Sequence, residues 1–132
     1  MQISRIVKTY EAFGARFVRR VFTDHEAEYA IGFPAIAPQT SASRLATRFA
    51  AKEAAKKILR SHGIGWREIE VRRRDNGACD IALYGAARAA AEAIGAHDFA
   101  LSLSRDGDYA IAVVVANVTP PSEHVVTRTY ER

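Results

Sequence analysis

Ser43–Leu83 reads SRLATRFAAKEAAKKILRSHGIGWREIEVRRRDNGACDIAL, and the spacing of its apolar residues changes partway along. As far as Arg60, residues Leu45, Phe49, Ala50, Ala54, Ile58 and Leu59 gather near one face of a helix. His62-Gly63 stops that helix, with glycine just beyond the last turn. The period then falls to two, because Ile69 and Val71 alternate with Glu68, Glu70 and Arg72 as in a half-buried strand. Asp75-Asn76-Gly77 is a hairpin turn, and Cys79–Leu83 is the strand that returns from it.

Outward from this stretch the same alternation repeats. Downstream, Ala86–Ile94 is a second alanine-rich helix. Phe99–Ser104 and Tyr109–Val118 read as strands joined by Arg105-Asp106-Gly107-Asp108. The last strand is apolar on both faces, which predicts cover on both sides, within one copy or between copies. Upstream, Ile3, Ile6, Val7, Tyr10, Phe13, Phe17 and Val21 have helical spacing, with Gly14 either interrupting the helix or marking a turn within it. Thr23 with Glu26 forms a capping-box pattern that starts a short helix. GFPAIAPQTSAS, from Gly32 to Ser43, reads as a loop, and the tail after Pro120 has no period. Helices, hairpin, helix, hairpin predict an α+β fold: an antiparallel sheet packed against a long helix. One domain is expected over 1–118, with a flexible tail over 119–132.

Bulk properties bound the function. With 132 residues, 48% of them apolar and 26% charged, the chain suits one globular domain. No apolar run approaches the ~20 residues that span a bilayer. The opening MQISRIVKTYEAFGARFVRR lacks the apolar block of a secretion signal, and the single Cys79 cannot form an internal disulfide, so a cytoplasmic protein is expected. A net charge of +4, from 19 basic and 15 acidic residues, favours an anionic partner: nucleic acid, an acidic protein or a phosphorylated cofactor. No nucleic-acid motif supports the first of these. His25, His62, His97 and His124 have no metal-ligand spacing and read as exposed polar residues; Trp66 and Tyr84 read as packing residues.

Chemistry concentrates in Arg48–Lys57, RFAAKEAAKK. Glu53 and Lys57 are four apart on one helix face, as are Arg48 and Lys52. A carboxylate among cations suits a divalent metal bridging to phosphate. Spacing alone fits a solvated helix with i,i+4 ion pairs better.

RFAAKEAAKK lies between RRVFTDHE and the later blocks GWREIEV, NGACDIALYG and ALSLSRDGDYAIAVVVA. In that order and spacing, over about Ile3–Ala116, the chain resembles the holo-acyl-carrier-protein synthase (4′-phosphopantetheinyl transferase) family. The resemblance implies transfer of phosphopantetheine from coenzyme A to a serine of an acyl carrier protein. Glu53 would be catalytic and a Mg²⁺ ligand, taking the serine proton itself or through water on the metal. Lys57, with Lys52 and Arg48, would bind or neutralise phosphate, and Ser104 and Arg105 would contact the cofactor. Arg5, Arg16, Phe17 and Arg20 fall where the family presents arginines and an apolar contact to the acidic helix of the carrier protein. The family is typically a homotrimer with coenzyme A in clefts between subunits.

Two departures stand out. Family members open with a strand G-x-D-x-V whose aspartate is a second metal ligand, and here Met1 stands in the valine's place. Either the start lies upstream, with a GTG codon read as Met1, or the aspartate is lost. Arg105 replaces the histidine of the usual SLSH block; it keeps a cation for phosphate but cannot carry protons near neutral pH. Cys79 stands where proline is common. The alternative expectation is a relative that binds carrier protein or coenzyme A as an interaction module, without efficient transfer.

Overall fold

Gly14 decides how the first apolar stretch folds. In the computed structural model, which describes residues 1–32 and 38–119, Gly14 takes φ 53° and ψ −128°, a conformation that residues with a Cβ rarely adopt. The stretch therefore forms two helices, α1 (Ile3–Phe13) and α2 (Ala15–Val21). Phe22 is extended, and Thr23 opens α3 (Asp24–Ile31) with the predicted capping box. The Glu26 N–H donates to Thr23 Oγ1 (3.3 Å) and the Thr23 N–H to Glu26 Oε1 (2.9 Å).

The long helix α4 spans Pro38–Leu59, so it begins before the predicted Ser43 and takes in the second half of the expected loop. Proline lacks the N–H that a first helical position does not use, and its fixed φ is already helical. The rest of that loop, residues 33–37, and the expected tail from 120 onward lie outside the described residues.

A single 3₁₀ turn, Trp66–Glu68, leads into β1 (Ile69–Arg73), which pairs antiparallel with β2 (Cys79–Leu83). Helix α5 (Gly85–Ile94) follows, then the antiparallel pair β3 (Ala96–Asp106) and β4 (Tyr109–Val118). Glu68 joins the turn to α5 by accepting the Gly65 and Ala86 N–H groups, each at 2.6 Å. Those two donors hold its carboxyl below the usual range. β3 starts earlier than predicted because a bulge between His97 and Ala100 takes up the irregular residues. The His97 ring bridges Asp98 (2.9 Å) and Thr119 Oγ1 (2.8 Å) there. The antiparallel sheet is realised as two two-stranded ladders. Beside the second, Met1 exchanges hydrogen bonds with Ala110 and Gln2 bridges to Tyr109.

Two apolar clusters hold the domain, and α4 runs through both. One gathers Ile3, Ile6, Val18, Val21 and Phe22 with Ala42, Leu45 and Ala46 of α4. The other gathers Ala55 and Leu59 of α4 with Ile64, Ile69, Ala87 and Ala91. Alanines at 0% exposure (Ala46, Ala51, Ala55) let neighbouring elements approach α4 closely. Strand β4 shows one side buried or half-buried, through Ala110, Ala112, Val114 and Ala116. Its other side leaves Ile111, Val113 and Val115 46%, 56% and 57% exposed, so among the described residues one of the two apolar faces is covered and the other is open.

Candidate functional site

The basic residues of α4 point in different directions, and burial separates their roles. Lys52 is 0% exposed and pairs with Glu26 at 2.6 Å. Its ammonium also donates to Trp66 O (2.9 Å) and Ile69 O (2.6 Å), so its three hydrogens are all engaged. Burial lowers its pKa, against the opposing pull of the Glu26 carboxylate. Glu26 further accepts the N–H groups of Thr23 and Val71 (2.9 and 2.7 Å), joining α3, α4 and β1 at one point. The expectation that Lys52 contacts cofactor phosphate is corrected here: no hydrogen is left to give and solvent does not reach it. Lys52 is a structural cation.

Arg48 lies one turn earlier and, though only 7% exposed, lines a cavity of about 410 Å³. Ser43, Arg44, Thr47, Ser104 and Arg105 line the cavity with it. Arg48 sits 4.4 Å over the Tyr29 ring and donates to Thr47 Oγ1 at 3.1 Å. Arg44 sits 4.3 Å over the same ring and donates to Tyr29 O at 2.8 Å. Arg105, at the end of β3, donates to Ser43 Oγ at 2.7 Å. Burial lowers the Arg48 pKa, offset by Cys79, Tyr29 and Glu26, but a guanidinium keeps its charge in proteins. Three guanidiniums and several hydroxyls with no carboxylate in the lining make an anion site. Of the sequence-predicted cofactor residues, Arg48, Ser104 and Arg105 meet here. Arg44 and Ser43 were missed, although Arg44 lies one helical turn before Arg48 and that spacing could have flagged it.

Glu53 and Lys57 are exposed on α4. At about 100° per residue, Glu53 points about 140° around the helix from Arg48, so this pair does not share the arginine cavity. Among the described residues no group of three His, Cys, Asp or Glu comes together, and Glu53 forms no ion pair. A lone solvent-facing carboxylate fits Mg²⁺, a hard cation held by one or two protein carboxylates while phosphates and water complete its shell.

A third region lies on α1 and α2. Arg16, Phe17 and Arg20 line an open groove of about 600 Å³ with Phe13 and Arg19. Phe17 is half-buried, packing edge-on against Phe22 at 5.7 Å while its remainder lines the groove. Phe13 is 59% exposed, and it and Arg19 are groove residues that the sequence reading did not single out. Arg5 is exposed on α1 but outside the groove lining.

Residues 1–114 match the family model of the 4′-phosphopantetheinyl transferase superfamily. A holo-[acyl-carrier-protein] synthase of Nitratidesulfovibrio vulgaris is 44% identical over 117 residues, covering 86% of this chain and 90% of that one. One from Gloeobacter violaceus is 40% identical over 116 residues, 86% and 85% of the two chains. Among solved structures, the Helicobacter pylori holo-[acyl-carrier-protein] synthase in complex with coenzyme A superposes with TM-score 0.73 at 25% identity, over 89% of this chain and 95% of that one.

Proposed function

Because the chain belongs to the 4′-phosphopantetheinyl transferase superfamily, we propose that the arginine cavity and the Glu53–Lys57 face are the two halves of its coenzyme A site. The chain is a holo-acyl-carrier-protein synthase. It transfers the 4′-phosphopantetheine group of coenzyme A to a serine of an apo-acyl carrier protein and releases 3′,5′-ADP. The carrier serine oxygen attacks the β-phosphorus, the bond to the departing ADP oxygen breaks, and the serine proton passes to Glu53 or to water. Such phosphoryl transfer depends on positioning and charge neutralisation rather than on a covalent enzyme intermediate.

Arg48, Arg44 and Arg105 supply fixed positive charge to the cofactor's phosphates, with Ser104 beside them. Glu53 would hold Mg²⁺ together with diphosphate oxygens, and the bound ion would neutralise charge developing on the phosphate. Lys57, one turn beyond Glu53, draws the same phosphates to that face. The exposed arginines Arg5, Arg16 and Arg20 meet the acidic surface of the carrier, and Phe13 and Phe17 offer it an apolar contact. The carrier serves fatty-acid or polyketide synthesis, in the cytoplasm; no helix among the described residues is long and apolar enough to cross a membrane.

The halves face different sides of α4, so one site draws them from two copies. The exposed Ile111–Val113–Val115 face of β4 suits burial between copies, and the family resemblance supports taking that assembly as a homotrimer. The observation that carries this reading is three arginines lining one cavity, with Glu53 around the helix from it and without an ion pair among the described residues. Glu53→Gln and Arg105→Ala variants, each impaired alone, should regain part of the activity when unfolded and refolded together, since mixed assemblies contain intact sites. No recovery would mean that each copy carries a whole site.

Incubation with apo-carrier protein, coenzyme A and Mg²⁺ should add the mass of one phosphopantetheine to the carrier. Carrier binding without that gain would favour an interaction module. Arg16→Glu should raise the Michaelis constant for carrier protein about tenfold or more, as reversing a contact charge costs roughly 1.4 kcal/mol or more. The constant for coenzyme A should stay within about twofold.

A further inference from the structure

Helix α1 lacks a cap of its own. Its N-cap residue Gln2 makes no side-chain capping bond, and no acidic residue lies in its first turn. The first two orphan N–H groups of that turn, those of Ile3 and Ser4, are met from the β3–β4 turn. Asp108, in the turn between β3 and β4, accepts the Ile3 N–H on its carbonyl at 2.7 Å. It accepts the Ser4 N–H on Oδ1 at 3.0 Å and the Ser4 hydroxyl on Oδ2 at 2.6 Å. A carboxylate at a helix N-terminus satisfies these donors and complements the positive end of the helix dipole.

The positions of the two joined segments give this clip its meaning. Arg5, a carrier-facing residue, directly follows Ser4. Arg105, a cofactor-facing residue, lies three positions before Asp108 and is itself tied to Ser43 of α4 at 2.7 Å. One short turn thus fastens the helix that receives the carrier to the strand end that receives the cofactor. We infer that Asp108 is a positioning residue: it sets where α1 presents Arg5 relative to the arginine cavity, and so where the carrier serine meets the cofactor. This rests on the docking reading of α1 given above.

Charge and geometry predict opposite outcomes for Asp108, which makes the inference decidable. Asp108 is an exposed acid near a surface meant for an acidic partner, so on charge alone its removal would help the carrier bind. As a clip, its removal would leave the backbone bonds of Met1 and Ile3 in place but free Ser4, loosening the turn that carries Arg5, and would hurt. Asp108→Asn removes the charge but keeps an acceptor for the Ser4 N–H; Asp108→Ala removes both. Steady-state transfer assays on the full chain, varying carrier and coenzyme A separately, should give Asp108→Ala a kcat/KM for carrier about tenfold below the parent. Asp108→Asn should stay within about threefold, and the KM for coenzyme A should stay within about twofold for both. Amide exchange at Ser4 and Arg5, measured without carrier, should accelerate in the alanine variant only.

Equal carrier kinetics for alanine and asparagine variants, or an alanine variant better than the parent, would overturn the inference. Arg5→Glu is the control for the reading beneath it. If Arg5→Glu leaves carrier kinetics unchanged, the docking role of Arg5 fails and the positioning role falls with it. If Arg5→Glu impairs carrier use while Asp108→Ala does not, the clip alone is wrong.

Discussion

Glu53→Gln is expected to lower phosphopantetheine transfer at least about a thousandfold, equivalent to ~4 kcal/mol of transition-state stabilisation, the range in which a bound cation acts on a phosphoryl group. Glutamine keeps the size of the side chain and loses the charge that holds a hard cation. Glu53 is exposed and forms no ion pair among the described residues, so stability should change by less than about 0.5 kcal/mol. Mass spectrometry of the carrier measures the first effect and thermal melting the second. Near-normal turnover at saturating Mg²⁺ would remove Glu53 from the site. A collapsed melting temperature would reassign it to the fold.

Lys52→Met should do the reverse. It leaves Glu26 buried at 0% exposure without its partner, a change that costs about 3–5 kcal/mol. For a domain of this size the melting temperature should drop by roughly 10–20 °C. Adding Glu26→Gln should restore part of the loss, because the pair as a whole contributes far less than breaking it removes. At temperatures where the variant remains folded, its KM for coenzyme A should match the parent's. A raised KM in stable protein would return Lys52 to the phosphate site.

That contrast marks where the sequence was informative. Thr23 and Glu26 announced their capping box and Asn76-Gly77 its turn, because each signal depends on neighbours within a few residues. The long helix instead ends at Leu59, where Arg60 (φ 53°) and not Gly63 makes the left-handed turn that follows the last helical residue. Glu53 and Lys57 were readable as a shared face for the same reason. Arg48 and Lys52 have identical spacing, yet both turn inward. An alanine-rich helix is ambiguous about which side is buried, since alanine suits core and surface alike. The partners that decide it, Glu26, Trp66 and Ile69, arrive only through the tertiary fold. The start of α4 at Pro38 was hidden because proline followed by small polar residues fits a loop as well as a first helical turn. Arg105 meeting Ser43, and Asp108 meeting Ser4, join residues 62 and 104 positions apart. No local pattern encodes such pairings. The family resemblance supplied what spacing could not, naming Arg48, Ser104 and Arg105 before they were seen to line one cavity.

Both apolar clusters are threaded on α4, with Leu45 in one and Leu59 in the other. A helix fourteen residues along from one anchor to the other has a rise of about 21 Å over that distance. It acts as a shaft between two bearings: loosening either end costs the helix its backbone bonds, and the strain passes to the far end. The halves are therefore expected to melt as a single cooperative body, and a lesion beside α5 to weaken the packing of α1 and α2 as well.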